Sequence, residues 1–283
     1  MNGKRVAVVL PAYNAETTLA RTLAGLDRTV VDDVLLVDDA STDGTVALAR
    51  RLGLDPITHD RNRGYGANQK TCYKAALARD ADIVVMLHPD YQYSPRLIVP
   101  MAAMIAYGEY DFVLGSRILA QNAIEGGMPR YKYIANRALT AFENLVVGCK
   151  LSEYHSGLRA YSRELLLKLP YELNSDDFVF DNEVILQAVA TGARVGELSC
   201  PTRYEGDSSS ISFRRSVRYG FGVVRASLQY RLNKVGVMRP HFLDFPIESV
   251  MHDKVPGGES IALRGRGARV AARREQPGAR RGP

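Results

Sequence analysis

The chain has 283 residues, 46% of them apolar, enough for a substantial core in one large α/β domain or two small ones. Its formal charge of +6 is concentrated at the C-terminus, where seven arginines from Arg264 to Arg281 face only Glu259 and Glu275, so no nucleic-acid partner is expected. The sequence has no apolar run near the ~18 residues of a membrane span, no signal-peptide pattern and no metal-ligand spacing among Cys72, Cys149 and Cys200, so a cytoplasmic protein with buried free thiols is expected.

In chain order, a first strand is predicted over Arg5 to Leu10, ending in Pro11, Ala12, Tyr13 and Asn14, with Leu19, Leu23 and Leu26 marking a following helix. A second apolar run, Val34 to Val37, stops at Asp38 and Asp39. The Ser/Thr/Asp/Gly cluster after it turns the backbone toward a helix over Val46 to Leu52, with Asp43 and Thr45 as structural residues. Arg61 to Lys70 forms a glycine-containing loop before a helix at residues 71–78. Ile83 to Leu87 ends in His88, Pro89 and Asp90, and Phe112 to Gly115 ends in Ser116 and Arg117.

Strands alternating with helices give a mostly parallel sheet with helices on both faces, and all four strand ends then share one edge. Ligands of open α/β sheets collect at that edge. Tyr13 offers a ring for a nucleobase, with Pro11 and Asn14 beside it. Asp38 or Asp39 offers an acceptor for the imide N–H of uracil, against the alternative that they only form a turn. Arg63 and Lys70, near the start of the third helix, suit phosphate, although glycine loops before helices are also commonly structural. Asp90, supported by Gln92, is the expected ligand of a divalent cation, Mg or Mn. His88 is either a third ligand or a packed strand-end residue. No G-x-G-x-x-G follows the first strand, which argues against an NAD site.

The motifs LPAYNAE, VDDASTDGT, HPDYQY, LGSR and SGLRAY, in this order over roughly residues 4–215, resemble the inverting family-two glycosyltransferases of GT-A fold. The nearest branch is that of dolichol-phosphate mannose synthase and other polyprenyl-phosphate glycosyltransferases. The resemblance implies a nucleotide-sugar donor (UDP or GDP), a divalent cation, inversion at the anomeric carbon and a polyprenyl-phosphate acceptor. Such enzymes usually carry Asp-x-Asp at the metal, and here His88 occupies the first position, so cations of the protein are expected to carry more of the diphosphate charge. Arg117, Arg130, Lys132, Arg159 and Arg203 are the candidates, each alternatively a surface ion pair. By resemblance, Arg117, Arg130 and Arg203 match phosphate-holding positions. Asp181 and Glu183 fall where the wider family deprotonates a hydroxyl acceptor; a phosphate acceptor needs no base, and they would then position groups or cap a helix.

Residues 1–212 are thus expected to form the catalytic domain, 213–238 a helical extension and 239–283 an irregular, disordered basic tail. In the extension, Phe213, Val217, Phe221, Val224, Leu228, Leu232 and Val235 share one helical face, with Arg214, Arg215, Arg218, Arg225, Arg231 and Lys234 off it. Such a helix lies in a lipid headgroup layer, covers the catalytic domain or forms an oligomer seam. Two other functions stay open: transfer to a hydroxyl of a glycan or small metabolite, and non-catalytic binding of a nucleotide sugar.

Overall fold

The computed structural model describes residues 1–119, 123–201 and 213–245. Arg203 and the tail beyond residue 245 lie outside the described residues, as does the Phe213 side chain. The described residues all belong to one unit, Met1–Ser249. Its strands are β1 Val6–Ala12, β2 Asp33–Asp38, β3 Ile57–Thr58, β4 Ile83–Met86, β5 Phe112–Ser116, β6 Arg159–Ser162 and β7 Val195–Ser199. They form a seven-stranded sheet in the order β3-β2-β1-β4-β6-β5-β7. Its helices are α1 Leu19–Ala24, α2 Thr45–Arg51, α3 Tyr65–Ala78, α4 Ile98–Ala106, α5 Arg130–Val147, α6 Arg163–Lys168, α7 Phe180–Ala190 and α8 Phe213–Lys234.

The period of two along β1 divides its side chains between two cores. Val6, Val8, Leu10 and Ala12 pack with Leu19, Leu23 and Ile98, while Ala7 and Val9 pack with Tyr73, Ala76 and Val184. Burial on both faces explains why the strand reads as a continuous apolar run. Each fully buried Val, Leu or Ile contributes about 1.5–3 kcal/mol. Cys72 and Cys200 are buried as expected, whereas Cys149 is only half-buried.

The sheet is mostly parallel, with one exception that the sequence did not announce. β6 runs antiparallel to β4 and β5, pairing Arg159 with both Met86 and Leu114. The connection through α5 returns the chain to the edge where β5 ended, so β6 enters the sheet there and Arg159 opens it among the strand ends.

Three further expectations need correction. α3 begins at Tyr65, so residues 65–70 are helical and only the residues before them form a loop. Residues 239–245 are not an irregular tail: His241–Leu243 forms a 3-10 turn whose Phe242 and Leu243 are buried with Val147, Leu186, Ala226 and Tyr230. α8 joins the same cluster through Ala226 and Tyr230, with Val223 and Ser227 also buried. Of the three placements foreseen for its apolar stripe, covering the catalytic domain does not hold, because Val217, Phe221, Leu228, Leu232 and Val235 are all exposed. Among the described residues, no helix is long and apolar enough to cross a membrane.

Candidate active site

β1, β2, β4 and β5 end at one edge of the sheet, as expected. The turns after β1 and β2 are joined by side chains. Asn14 N donates to Ser41 Oγ at 2.8 Å, Asn14 Oδ1 accepts from Thr42 N at 2.8 Å, and Gly44 N donates to Glu16 Oε2 at 2.8 Å. Asp38, 2% exposed, accepts from Ser41 N at 2.9 Å and from the Ser41 hydroxyl, which closes the turn after β2. Asn14 and Asp38, expected at a nucleotide, therefore clamp two turns together. Asp43 is structural as expected; burial opposes its charge, yet hydrogen bonds from Thr45 hold its carboxyl below the usual range. Pro11 is buried within β1. Tyr13 is 52% exposed, leaving its ring available for stacking.

Asn14, Ala40 and Tyr91, just beyond β1, β2 and β4, adopt left-handed backbone with φ of 51°, 59° and 57°. Such a conformation costs a residue with a Cβ about 1–2 kcal/mol. Retained strain of this kind gathers at functional rims.

Asp39, 3% exposed, holds the next loop. Its Oδ1 accepts from Arg63 N at 2.8 Å and meets His59 Nδ1 at 2.7 Å, while Oδ2 accepts from Gly64 N at 3.0 Å. Asp38 and Asp39 thus have separate partners within the protein. Gly64 has φ +103°, and a Cβ on it would lie 2.6 Å from the Asp176 carbonyl oxygen. Gly66 N donates to that same oxygen at 2.8 Å. The glycines therefore admit the 174–176 segment, and a phosphate does not have this amide to itself. Lys70 Nζ donates to Asn174 O at 2.6 Å and Asp176 Oδ1 at 2.7 Å, and Arg63 pairs with Asp60 at 2.8 Å. These contacts replace the phosphate role expected for both. A cavity of about 510 Å³ beside them takes in Arg63 and Lys70 but neither Asp90 nor Arg117.

At the end of β4, Asp90 Oδ1 accepts from Gln92 N at 3.0 Å. His88 Nε2 lies 3.0 Å from the Tyr65 hydroxyl, which donates to Asp181 Oδ2 at 2.7 Å. Burial, opposed by Asp90 and Asp181, lowers the His88 pKa and favours the neutral imidazole. Among the described residues no group of three or more His, Cys, Asp or Glu side chains could hold a metal. The donor set of Asp90 and His88 still fits a cation that takes its remaining oxygens from water and a diphosphate, the usual manner of Mg²⁺ in phosphate sites. Gln92 adds an amide oxygen close by in sequence.

Arg159 is not a phosphate ligand: it is fully buried, donates to Ser156 O at 3.0 Å and Asp181 O at 2.7 Å, and pairs with Asp181 Oδ1 at 3.4 Å. Burial opposes its charge, and Asp181 raises its pKa above the usual value. Asp181 also accepts from Gln69 Nε2 at 2.9 Å. Glu183 Oε2 accepts from Ser175 N at 2.7 Å, and burial pushes its pKa up. Both acids expected as a base are thus engaged in holding the fold.

Arg117 is drawn to a carboxylate that the sequence did not single out. Its Nε donates to Glu153 Oε1 at 2.8 Å, its backbone N to Glu153 Oε2 at 2.7 Å, and Nη2 to His155 O at 2.9 Å. Burial works against Glu153, but Arg117 holds its pKa below the usual range. Burial and then the charge of Arg117 lower the pKa of Lys132, in the first turn of α5, so the two cations are neighbours. That first turn contains Arg130 and Lys132, no acid, and no side-chain cap. Cations at a helix N-terminus oppose its dipole unless an anion joins them.

Toward the C-terminal end of α5, buried Glu143 and half-buried His155 and Tyr219 form a chain. Glu143 Oε2 lies 3.3 Å from His155 Nε2, and His155 Nδ1 lies 2.9 Å from Tyr219 Oη. Burial pushes Glu143 up to about 8 and His155 down to about 4, so the pair is neutral, with a carboxylic acid facing an imidazole.

The sequence matches glycosyl transferase family 2 over residues 7–169. An uncharacterized protein of Methanocaldococcus jannaschii is 31% identical over 224 residues, covering 79% of this chain and 91% of that protein. The UDP-N-acetylglucosamine–dolichyl-phosphate N-acetylglucosaminyltransferase of Methanococcus voltae is 27% identical, covering 83% and 99%. The polyprenol monophosphomannose synthase of Mycolicibacterium smegmatis is 25% identical, covering 83% and 92%. Among solved structures, the glucosyl-3-phosphoglycerate synthase of Mycobacterium tuberculosis, in complex with Mn²⁺, UDP-glucose and phosphoglyceric acid, superposes with a TM-score of 0.64 at 21% identity, covering 81% of this chain and 80% of that one. This last likeness bears on the fold alone, the GT-A arrangement that the motifs implied. With more than half of its length matched, the chain belongs to glycosyl transferase family 2.

Proposed function

We propose that the protein transfers a sugar, with inversion, from a nucleoside-diphosphate sugar to a polyprenyl phosphate. The observation that carries this is the engagement of Asp181 and Glu183 by Tyr65, Gln69, Arg159 and Ser175, which presents no base to a hydroxyl acceptor. A phosphate is already ionised near neutral pH and needs none. Two relatives, one named for a dolichyl-phosphate acceptor and one for a polyprenol product, support the same acceptor class.

Tyr13 stacks on the nucleobase of the UDP or GDP donor. Asp90 and His88, with Gln92, hold a divalent cation, Mg²⁺ or Mn²⁺, which when bound supplies positive charge for the departing diphosphate. The uncapped start of α5, with Arg130 and Lys132, receives the acceptor phosphate. One of its oxygens attacks the anomeric carbon from the face opposite the diphosphate. The new C–O bond forms as the old one breaks, and the nucleoside diphosphate leaves. Arg117 acts indirectly, bracing α5 through Glu153, which also accepts from Asn136 Nδ2. Arg203 remains a phosphate candidate by resemblance.

The outward stripe of α8, with exposed Arg214, Arg215, Arg218 and Arg225 beside it, supports peripheral contact with an anionic membrane, where such an acceptor resides. α5 adds exposed Ile134 and Leu145.

A panel of nucleotide sugars incubated with Mg²⁺ or Mn²⁺, with and without a polyprenyl phosphate, tests the function. The expected product extracts into organic solvent and forms only with the lipid phosphate. Asp90→Ala is expected to abolish it while the protein stays folded. A water-soluble glycoside made at a rate set by ionisation of Asp181 or Glu183 would instead assign a hydroxyl acceptor.

A further inference from the structure

An imidazole stands at residue 88 where the motif resemblance expects a carboxylate, and its surroundings decide which nitrogen it presents. Asp181 is buried, paired with Arg159 and bonded to Gln69, so its carboxylate is an acceptor only. The Tyr65 hydroxyl, 2.7 Å from Asp181 Oδ2, must give its single proton to that carboxylate. Only lone pairs of the phenol oxygen then face His88 Nε2 at 3.0 Å, so Nε2 carries the imidazole proton and Nδ1 is bare. Among the described residues, the side-chain hydrogen bonding of His88 runs through Nε2. The ring is also fixed in place. It stacks on Tyr65 with centroids 5.3 Å apart, and a Cβ at Gly157 would come within 2.7 Å of its Cδ2.

We infer that Tyr65 and Asp181 form a positioning relay that locks His88 in its Nε2–H tautomer and presents Nδ1 as a nitrogen ligand to the divalent cation beside Asp90. The inference rests on the cation assigned in the proposed function. Outer partners of this kind fix the tautomer and raise the basicity of metal-binding histidines. A nitrogen donor in place of a carboxylate oxygen shifts preference from Mg²⁺ toward Mn²⁺. Tyr65 and Asp181, far from the cation in sequence, thereby become determinants of metal choice.

Three measurements test the relay. Long-range ¹H–¹⁵N spectra of the metal-free protein are expected to show a pyridine-type Nδ1 at His88. Titration with Mn²⁺ followed by EPR is expected to show roughly tenfold weaker binding in Tyr65→Phe, and no effect of that substitution in a His88→Asp background. Pulsed EPR of bound Mn²⁺ is expected to show a histidine nitrogen coupling that disappears in His88→Gln. A proton on Nδ1, bound Mn²⁺ without nitrogen coupling, or an equal loss from Tyr65→Phe in the His88→Asp background overturns the relay while leaving the cation in place. Sugar transfer undiminished in EDTA, with no Mn²⁺ bound, overturns the cation itself and the relay with it.

Discussion

The two halves of the strand-end edge are built on opposite plans. On the side of β1 and β2, nearly every polar side chain answers another: Asn14 to Ser41 and Thr42, Asp38 to Ser41, Asp39 to His59 and two loop amides. On the side of α5 and α8, Arg130 and Lys132 sit at an uncapped helix start, and an apolar stripe faces outward. The first half is complete within the chain. Among the described residues the second is electrostatically and hydrophobically unfinished, which is what the proposed lipid-phosphate acceptor would require. Substitutions in the first half are therefore expected to act on stability, and those in the second on binding.

Asp39→Ala is the strongest test. It strands two backbone amides and the His59 ring, and is expected to cost about 2–4 kcal/mol in chemical denaturation. A loss under 1 kcal/mol (roughly the cost of a single surface contact) would place Asp39 with the unfinished half.

The pH dependence comes next. Glu143, raised to about 8 from 4.5, holds a proton in the folded chain that the unfolded chain releases, so its contribution falls as pH rises through that interval. His155, lowered to about 4 from 6.5, has the opposite sign, its contribution falling as pH drops. The two offset each other below about pH 6.5, leaving a net decline of roughly 2 kcal/mol between about pH 6.5 and 8. Glu143→Gln is expected to abolish that decline in melts across the interval.

Smaller still is Lys132→Ala, expected to stabilise the fold by about 0.3–1 kcal/mol by removing a cation from a helix N-terminus, while raising the KM for the lipid phosphate. Unchanged KM would remove Lys132 from the acceptor site. Phe221→Glu is expected to leave stability within about 0.5 kcal/mol and to abolish flotation with anionic vesicles. Retained flotation would point to another surface.

Where the physics is local, the sequence is a good guide. The four strand ends, and the helices after the first two, follow from apolar runs that stop at Pro11, Asp38, His88 and Ser116; α4 and α5 were not legible in the same way. What escaped notice is the pairing of polar groups far apart in the chain. Tyr65 and Asp181 are separated by 116 residues and Arg117 and Glu153 by 36, and no spacing rule links either pair. Lys70 and Arg159 look like phosphate ligands in the sequence because a lone cation carries no mark of the carbonyl or carboxylate it will find. The stripe of α8 was legible as a pattern, but periodicity does not say which face of a helix turns toward the protein.

The left-handed residues Asn14, Ala40 and Tyr91 give the rim a further property. Each is pinned in a conformation that a free chain rarely visits, so the rim has surrendered its mobility during folding, before any donor arrives. Under the proposed function, a nucleotide sugar would meet a preorganised seat, with little of its binding energy going into taming loops.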